Sequence, residues 1–372
     1  MDNNYPNIQV EQINDSIPKN FLNDFWSDFS KQAAENRIPI HGHFELTPRC
    51  NFDCKMCYIH LEAKQMNRNE MPLSNWIHII DEAIDAGMVF ASLTGGECLT
   101  VPYFDELYLY LKKRGILVFV LTNGYLLKEK LPLFTNHPPA HIQVSVYGWD
   151  DESYENVTGK KAYSKVIDGI IAANNLGLSI SVAITASRYL PSVYNIVKYF
   201  YELNIGATVN KWLMPPYEST GRHLENINLS LNEQVNIETE LLKATNQPLG
   251  SPYKEPLPPT GSQNSIRCYG LTCSAGRTDF CINWKGEMSP CVSLPTPTGY
   301  PLKEKFVQAW NETVLFADNF ELPIECPECK YKSICKRCPA FHLLSGEKGH
   351  CNTDACDECK IMVSKGLRQL NL

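Results

Sequence analysis

From His41 to Leu242 the sequence alternates between short apolar or β-branched runs and longer stretches with helical periodicity. The predicted strands are His43–Leu46, Val89–Leu93, Leu117–Thr122, His141–Val146, Leu178–Ile184 and Thr208–Leu213. The predicted helices are Leu73–Ala86, Tyr103–Arg114, Leu126–Phe134, Tyr163–Leu176, Ser192–Leu203 and Ser230–Ala244. A repeated strand and helix builds a parallel sheet. About six such units fall short of the eight in a closed barrel, so we predict an α/β fold with a partial (β/α)6 barrel.

The regions on either side of these units differ in composition. Phe21, Phe25 and Phe29 share one face of an N-terminal helix that we expect to pack on the main domain. Prolines prevent a helix from continuing through the segment after the last unit, and cysteine, glycine and polar turns then dominate, without long periodic segments. A final amphipathic run, Ile361–Leu370, predicts a helix. We therefore predict an amphipathic helical segment (1–37), a core (38–245), a linker (246–266) and a C-terminal domain organised by metal (267–372).

Composition limits the cellular setting and the partners. No apolar run approaches the roughly 20 residues of a membrane span, and Met1–Val10 lacks the apolar core of a signal peptide. We therefore expect a cytoplasmic protein without a membrane partner. The formal net charge is −7 and there is no long basic stripe, which argues against nucleic acid as a partner.

Cysteine usage indicates metal sites. Of the 15 cysteines, three lie within Cys50–Cys57, eleven lie within Cys268–Cys359, and Cys98 stands alone. In a cytosolic chain such clusters favour metal binding over disulfides. Cys50, Cys54 and Cys57 follow the first predicted strand, at the end where parallel barrels carry their active sites. Three thiolates leave one iron of a cubane cluster open to a ligand, whereas zinc would need a fourth protein ligand that this loop does not supply.

The spacing of Cys50, Cys54 and Cys57 resembles that of the radical S-adenosylmethionine (SAM) superfamily. The resemblance implies a [4Fe–4S] cluster whose open iron binds the amino and carboxylate groups of SAM. It also implies that a 5′-deoxyadenosyl radical, formed by reductive cleavage of SAM, abstracts hydrogen from a substrate in the barrel mouth. Met56 departs from the family, which often has an aromatic residue there; Tyr58 follows the third cysteine instead.

A second motif, Gly95-Gly96-Glu97, follows the second predicted strand and resembles the Gly-Gly-Glu motif of that superfamily. Glycines allow close backbone approach, and the resemblance implies that Glu97 accepts a hydrogen bond from the amino group of SAM.

Further predicted contacts with SAM lie at the ends of the next two strands. By the same resemblance Thr122, Asn123 and Ser145 would contact its methionine and ribose parts, although each could instead be a turn residue. Where many relatives carry an arginine for the carboxylate, this chain has Val157-Thr158-Gly159-Lys160, so no residue is assigned that role. We expect the strand residues His43 and His141 to be core or lining residues rather than ligands.

The C-terminal cysteines resemble a SPASM domain, a two-cluster extension of radical enzymes that modify peptides and proteins. The resemblance implies one auxiliary cluster on Cys268, Cys273, Cys291 and Cys338, and a second on Cys326, Cys329, Cys335 and Cys356. Cys351 and Cys359 are alternatives to Cys356, and Cys281 is extra to the motif. The usual spacing of three residues is shortened between Cys335 and Cys338, which affects how the clusters share these ligands. A zinc ribbon is the alternative interpretation of this region.

The predicted activity is that of a radical SAM oxidoreductase or peptide maturase. It would cross-link or oxidise a ribosomally synthesised peptide or protein; the alternative is oxidation of a small alcohol or amino sugar. A non-catalytic scaffold would leave the Gly-Gly-Glu motif without a purpose. The auxiliary clusters would either accept an electron from the substrate or ligate a substrate thiol. Expected partners are a peptide, an electron donor such as flavodoxin or ferredoxin, and a separate leader-recognition protein. The apolar segment Trp212–Tyr217 would line the barrel mouth or pack in the core.

Overall fold

The computed structural model describes residues 19–59, 70–214, 226–246 and 270–368, the last range with short gaps. One eight-stranded sheet has the order β6-β5-β4-β3-β2-β1-β7-β8. Its strands are β1 His41–Glu45, β2 Phe90–Thr94, β3 Leu117–Thr122, β4 His141–Val146, β5 Ile180–Thr185, β6 Gly206–Asn210, β7 Asp279–Ile282 and β8 Met288–Ser289. The first seven strands pair in parallel, and β8 is antiparallel to β7. The predicted partial barrel with a cysteine-rich C-terminal region is confirmed.

Helices follow most strands, as the alternation predicts. They are α1 Lys19–Glu35, α2 Leu73–Asp85, α3 Phe104–Lys113, α4 Leu127–Asn136, α5 Asp151–Thr158, α6 Tyr163–Asn175, α7 Tyr194–Glu202, α8 Leu231–Ala244, α9 Phe306–Asp318 and α10 Thr353–Ser364. The expectation that the cysteine-rich region lacks long periodic segments is wrong, because α9 is a 13-residue helix with Phe306, Ala309, Trp310, Thr313 and Ala317 buried at helical spacing. Within the described residues, no helix is long and apolar enough to cross a membrane.

The C-terminal region contributes directly to the central sheet. His41 of β1 pairs with Asp279 of β7. The outer edge of β1, at the side of the six-unit core, is thus hydrogen-bonded to a strand that lies beyond the predicted linker in the sequence. Phe280 and Phe306 lie in the same hydrophobic cluster as Phe44 of β1. The core predicted over 38–245 therefore shares its sheet and its packing with the cysteine-rich region. The exact domain boundaries stay a prediction, and most of the linker lies outside the described residues.

A buried charge network also connects the two regions. Nζ of Lys211, which follows β6, lies 3.3 Å from Oε2 of Glu238 in α8 and 2.7 Å from Oε1 of Glu358 in α10. The contact with Glu358 is an ion pair without hydrogen-bond geometry. Arg368 donates to Glu238 Oε1 at 2.5 Å, and all four side chains are at most 12% exposed. The C-terminal helix is thus fixed to the core by mutually neutralising charges.

The two faces of the sheet differ in chemistry. The face that packs against helices is apolar, as where Phe44 contacts Trp76 of α2. The opposite face, here called the inner face, carries polar side chains because alternate residues of each strand point to it. Among these residues are His41, His43, Glu45, Ser92, Gln143, Ser145, Ser181 and Asp279. An inner face of this kind can accommodate polar ligands, which a barrel filled with branched aliphatic residues cannot.

Two histidines of the inner face sit at different points of the sheet. Burial, and then the neighbouring His43, lower the pKa of His41 to about 4, so His41 is neutral at pH 7. The ring nitrogens of His141 lie 2.8 Å from Ser179 Oγ and 2.7 Å from Ser181 Oγ. Both ring nitrogens of His141 are therefore occupied by hydrogen bonds, whereas His41 forms its hydrogen bond with Ser92 through Nε2.

The N-terminal helix closes against the amino ends of these strands. Ala33 and Ala34 of α1 are buried, and the ring of Trp26 lies 5.6 Å from that of Phe90 in β2. Phe25 stays half exposed. The helix therefore packs through its second half and one aromatic side chain.

Candidate functional site

The loop that carries the first three cysteines begins directly after β1. Its backbone is held by α5, because the N–H groups of Asp53 and Lys55 donate to the carbonyls of Thr158 at 2.8 Å and Val157 at 3.0 Å. Gly159 ends α5 with a left-handed φ of 71°, a conformation that favours glycine. Val157 and Thr158, in the segment where many relatives carry an arginine, thus position the cysteine loop through their backbone carbonyls.

The thiols of this loop lie close together in a protected environment. Burial, opposed by a hydrogen bond from the N–H of Phe52, raises the pKa of Cys50 to about 11, and the thiol of Cys57 contributes. Burial and then the charges of Cys57 and Cys50 raise the pKa of Cys54 well above its ordinary value. Three thiolates so placed require a positive centre to neutralise them.

That centre fits a cluster of irons better than a single ion. A structural zinc site takes four protein ligands, whereas this loop offers three thiols. Three sulfur donors are what a [4Fe–4S] cluster with one open iron requires.

The glycine pair brings a second loop against the cysteine loop. Gly95 has a φ of 126°, and a Cβ at Gly96 would lie 2.2 Å from the carbonyl oxygen of Arg49. The N–H of Gly96 donates to the Thr47 carbonyl at 2.7 Å, and that of Glu97 donates to the Arg49 carbonyl at 2.9 Å. The glycines therefore permit close approach between two loops of the protein, immediately before Cys50.

Glu97 connects the ends of β2 and β3. Its buried Oε1 accepts hydrogen bonds from Thr122 Oγ1 at 2.6 Å and from the N–H of Leu99 at 3.1 Å, while Oε2 accepts from the N–H of Asn123 at 2.7 Å. Burial, which these bonds only partly oppose, raises the pKa of Glu97. Asn123 Nδ2 lies 3.5 Å from the sulfur of Cys50. The structure thus brings Glu97, Thr122 and Asn123 together beside the first cysteine.

Ser145 reaches the same loop through a residue that the sequence analysis missed. The side chain of Tyr147 lies next to both Ser145 and Cys54. Burial, and then the Cys54 thiol, raise the pKa of Tyr147. Its position two residues after Ser145, on the same face beyond β4, was the signal available in the sequence.

The C-terminal cysteines form two groups. Cys273, Cys291 and Cys338 lie close enough to influence one another electrostatically. Burial raises the pKa of Cys273, to which Cys338 adds, and burial raises the pKa of Cys291 to about 12, to which Cys273 and Cys338 add. These are three of the four ligands predicted for the first auxiliary cluster. The fourth, Cys268, lies outside the described residues.

The second group centres on Cys335. A hydrogen bond with Cys335, and then burial, raise the pKa of Cys359, and Cys356 contributes to the same shift. Cys326 lies outside the described residues, and Cys329 is partly exposed. Cys359 therefore lies near the ligand predicted at Cys335, and Cys356 lies near Cys359.

Of the remaining three cysteines, Cys351 is partly exposed and the other two are buried. Cys98 is fully buried and donates to the carbonyl of Leu121 at 3.4 Å, which makes it a core thiol. Cys281 of β7 belongs to the inner face, and burial and then Glu45 raise its pKa well above the ordinary value. Burial, and then the charges of Glu45, Cys57, Cys281 and Cys291, raise the pKa of Tyr58.

Glu45 therefore lies in a polar cluster between the first cysteine loop and the C-terminal cysteines. Burial raises its pKa to about 8, and its Oε1 has no hydrogen-bond partner among the residues that the structure describes. The sequence analysis gave Glu45 no role, since a single acidic residue in a short strand carries no spacing signal.

Residues 44–189 match the family model of the Radical SAM superfamily. This range runs from β1 past β5 and contains the cysteine loop, the Gly-Gly-Glu motif and the ends of β3 and β4. This part of the chain is a radical SAM domain. Its cofactors are accordingly a [4Fe–4S] cluster and SAM.

The chain is similar to three particular proteins. It is 27% identical over 319 residues to the AdoMet-dependent heme synthase of Methanosarcina barkeri (strain Fusaro / DSM 804), covering 80% of this chain and 90% of that protein. It is 24% identical over 267 residues to the antilisterial bacteriocin subtilosin biosynthesis protein AlbA of Bacillus subtilis (strain 168), covering 71% of this chain and 57% of AlbA. Streptococcus suis SuiB bound to its precursor peptide SuiA superposes with a TM-score of 0.64 at 16% identity, over 95% of this chain and 83% of SuiB. That last likeness shows the fold.

Proposed function

We propose that this chain modifies a ribosomally synthesised peptide or protein by a radical reaction, forming a cross-link or oxidising a side chain. The observation that carries the proposal is the meeting of Cys50, Glu97 and Asn123 at the carboxyl ends of neighbouring parallel strands, beside a polar inner face. This is where a parallel α/β sheet binds its ligands.

Cys50, Cys54 and Cys57 would hold the cluster, and SAM would bind at its open iron. Once bound, this pair supplies a 5′-deoxyadenosyl radical that abstracts a hydrogen atom from the substrate. The hydrogen bond between Asn123 and Cys50 would orient the first ligand, as residues that hydrogen-bond to metal ligands do in other metal sites.

Glu97 retains one acceptor position for the ammonium group of SAM. An ionised carboxylate offers about four lone-pair positions, two on each oxygen. Leu99 and Thr122 occupy both positions on Oε1, and Asn123 occupies one on Oε2. The second position on Oε2 is the one that an ammonium donor would use, and its positive charge would favour the ionised form.

The C-terminal cysteines would hold two auxiliary clusters, the first on Cys268, Cys273, Cys291 and Cys338 and the second on Cys326, Cys329, Cys335 and Cys356. The proximity of Cys273, Cys291 and Cys338 supports the first set. For the second, the contact of Cys335 with Cys359 makes Cys359 an equal candidate for the last ligand.

The relatives support a peptide substrate. AlbA is a bacteriocin biosynthesis protein, and SuiB has been solved with a precursor peptide. Of the apolar segment predicted to line the mouth, Leu213 is buried, and the residues from Pro215 lie outside the described part of the chain. A flavodoxin or ferredoxin would supply the electron, and a separate protein would recognise a leader segment. The enzyme would act in the cytoplasm.

A small-molecule reaction is the second candidate. The heme synthase, whose name indicates a small-molecule product, aligns with 80% of this chain, more than AlbA does. Oxidation of an alcohol or amino sugar would use the same cysteine loop and Glu97, so the substrate alone distinguishes the two functions.

An iron count tests the cofactor assignment. After anaerobic reconstitution we expect about twelve irons per chain, from three cubanes. Replacing Cys50, Cys54 and Cys57 together by Ala should leave about eight, with the C-terminal region folded. A wild-type count near four would remove the auxiliary clusters from the proposal.

A substrate assay tests the reaction. The reduced enzyme should cleave SAM slowly alone and faster with a short peptide encoded beside its gene, and that peptide should lose the mass of two hydrogens. Mass spectrometry of the peptide and quantification of 5′-deoxyadenosine measure both. Oxidation of a small alcohol or sugar, with no change in any such peptide, would favour the second candidate.

A further inference from the structure

A cluster of metal-ligand side chains lies at the amino end of the sheet, opposite the cysteine loop. His41 is the first residue of β1, Asp279 is the first residue of β7, and the two are register partners in the parallel ladder. His43 lies two residues along β1 and therefore points to the same inner face. These side chains are partly exposed.

The geometry points to a site for one divalent transition-metal ion held by His41, His43 and Asp279. Nε2 of His43 lies 3.6 Å from Oδ2 of Asp279, and the two imidazole rings stack with centroids 4.3 Å apart. One potential ligand atom from each residue lies within 4.8 Å of the other two. Ligands bound to one zinc ion at about 2.0–2.2 Å are at most about 4.4 Å apart, so small side-chain rotations would complete the site.

The neighbours of these residues already hold them as metal ligands are usually held. Nε2 of His41 lies 2.8 Å from the buried Ser92 Oγ, which leaves Nδ1 as the nitrogen for a metal. Ser274 and Thr278 donate to the two carboxylate oxygens of Asp279, each at 2.9 Å. Metal-binding histidines and carboxylates typically make such second hydrogen bonds, which fix their orientation.

The ligand set determines the class of ion. Two imidazoles and one carboxylate suit zinc or another first-row transition metal, whereas calcium and magnesium prefer oxygen ligands throughout. Three protein ligands leave at least one position for water. Because β1 belongs to the core and β7 to the cysteine-rich region, the ion would join the two regions at the end of the barrel away from the cysteine loop.

Zinc binding to the reconstituted holoprotein tests the site, since the iron clusters then occupy their own cysteines. We expect about one zinc per chain beyond the iron, with the visible absorbance of the clusters unchanged. His43→Gln and Asp279→Asn should each keep the iron but reduce the zinc affinity. The reduction should exceed the roughly 10- to 100-fold that follows when a residue hydrogen-bonded to a metal ligand is lost. His141→Gln is the matched control, because His141 is also an inner-face histidine but hydrogen-bonds to Ser179 and Ser181.

Two further measurements separate a true site from misfolding or from zinc on thiolates. Ser92→Ala keeps all three ligands and should lower the zinc affinity about 10-fold, and zinc should raise the melting temperature of the wild type but not of Asp279→Asn. X-ray absorption at the zinc edge should show nitrogen and oxygen neighbours. Sulfur neighbours, no zinc beyond the iron, or equal binding by the wild type and His43→Gln would overturn the proposal.

Discussion

Replacing Gly96 by Ala tests whether the Gly-Gly-Glu motif positions the cysteine loop. The added Cβ would lie 2.2 Å from the carbonyl oxygen of Arg49 and 2.8 Å from that of Pro48, both backbone atoms that cannot rotate away. Restoring ordinary contact requires the two loops to separate by about 1 Å. Because Cys50 follows Arg49 directly, this movement displaces the first cysteine ligand.

The magnitude follows from the contacts that the separation breaks. The hydrogen bonds from Gly96 and Glu97 to the carbonyls of Thr47 and Arg49 contribute about 1 kcal/mol each, and overpacking costs about 1–3 kcal/mol more. We therefore expect a local destabilisation of about 3–5 kcal/mol. A displacement of 1 Å at a reacting centre can lower the rate about 100-fold.

The assay is the rate of SAM cleavage, together with the iron content after anaerobic reconstitution. Gly96→Ala should lower the rate about 100-fold and reduce the iron content by up to about four per chain. Gly206→Ala is the matched control, because its Cβ would be an ordinary 3.7 Å from Ser181 and its φ is not in the left-handed region. Full iron content and wild-type cleavage by Gly96→Ala, or equal losses in Gly206→Ala, would refute the reasoning.

Three other substitutions address separate parts of the structure. Glu97→Gln should weaken SAM binding about 10- to 100-fold without loss of iron, because it removes the charge that would face the ammonium group; equilibrium dialysis measures this, and unchanged affinity would contradict it. Burial raises the pKa of Glu45 to about 8 from an ordinary 4.5, so the folded state keeps a proton that the unfolded state releases, and stability falls as pH rises between these values. Glu45→Gln should remove this pH dependence of stability and be up to about 5 kcal/mol more stable than the wild type above pH 8. Anaerobic melting curves at pH 5 and pH 8 measure the pH dependence. The same change in melting temperature for both proteins would contradict the prediction. Lys211→Met should cost about 3–5 kcal/mol by leaving buried carboxylates without their shared partner, whereas Lys198→Met, at an exposed ion pair, should change the melting temperature little; equal effects would show that the buried network is not stabilising.

The sequence predicted those elements whose signal is local. Leu117–Thr122 and His141–Val146 were predicted with the observed bounds. The first run is apolar or β-branched throughout, the second alternates polar and apolar residues, and turn residues bound each. The helix Phe306–Asp318 was missed because the surrounding cysteines dominated the interpretation of that region, although its apolar residues recur at helical spacing.

Long-range pairings could not be predicted in the same way. Nothing near His41 indicates that its register partner is Asp279, since the two are brought together only by the closing of the sheet. The cysteine spacing predicted which thiols belong to the first loop, but the contacts of Tyr147 and of Val157–Thr158 with that loop arise from tertiary packing that no sequence period encodes.

The pairing of β1 with β7 also affects folding during synthesis. During synthesis β1 keeps one edge of unpaired N–H and C=O groups until the ribosome has released residue 282 of 372. An open parallel edge of this kind can pair with another chain, and nascent proteins with such edges are prone to aggregate. A fragment ending at residue 245 would retain this exposed edge permanently, so it should be recovered mainly in insoluble form even though it contains the whole cysteine loop and Glu97.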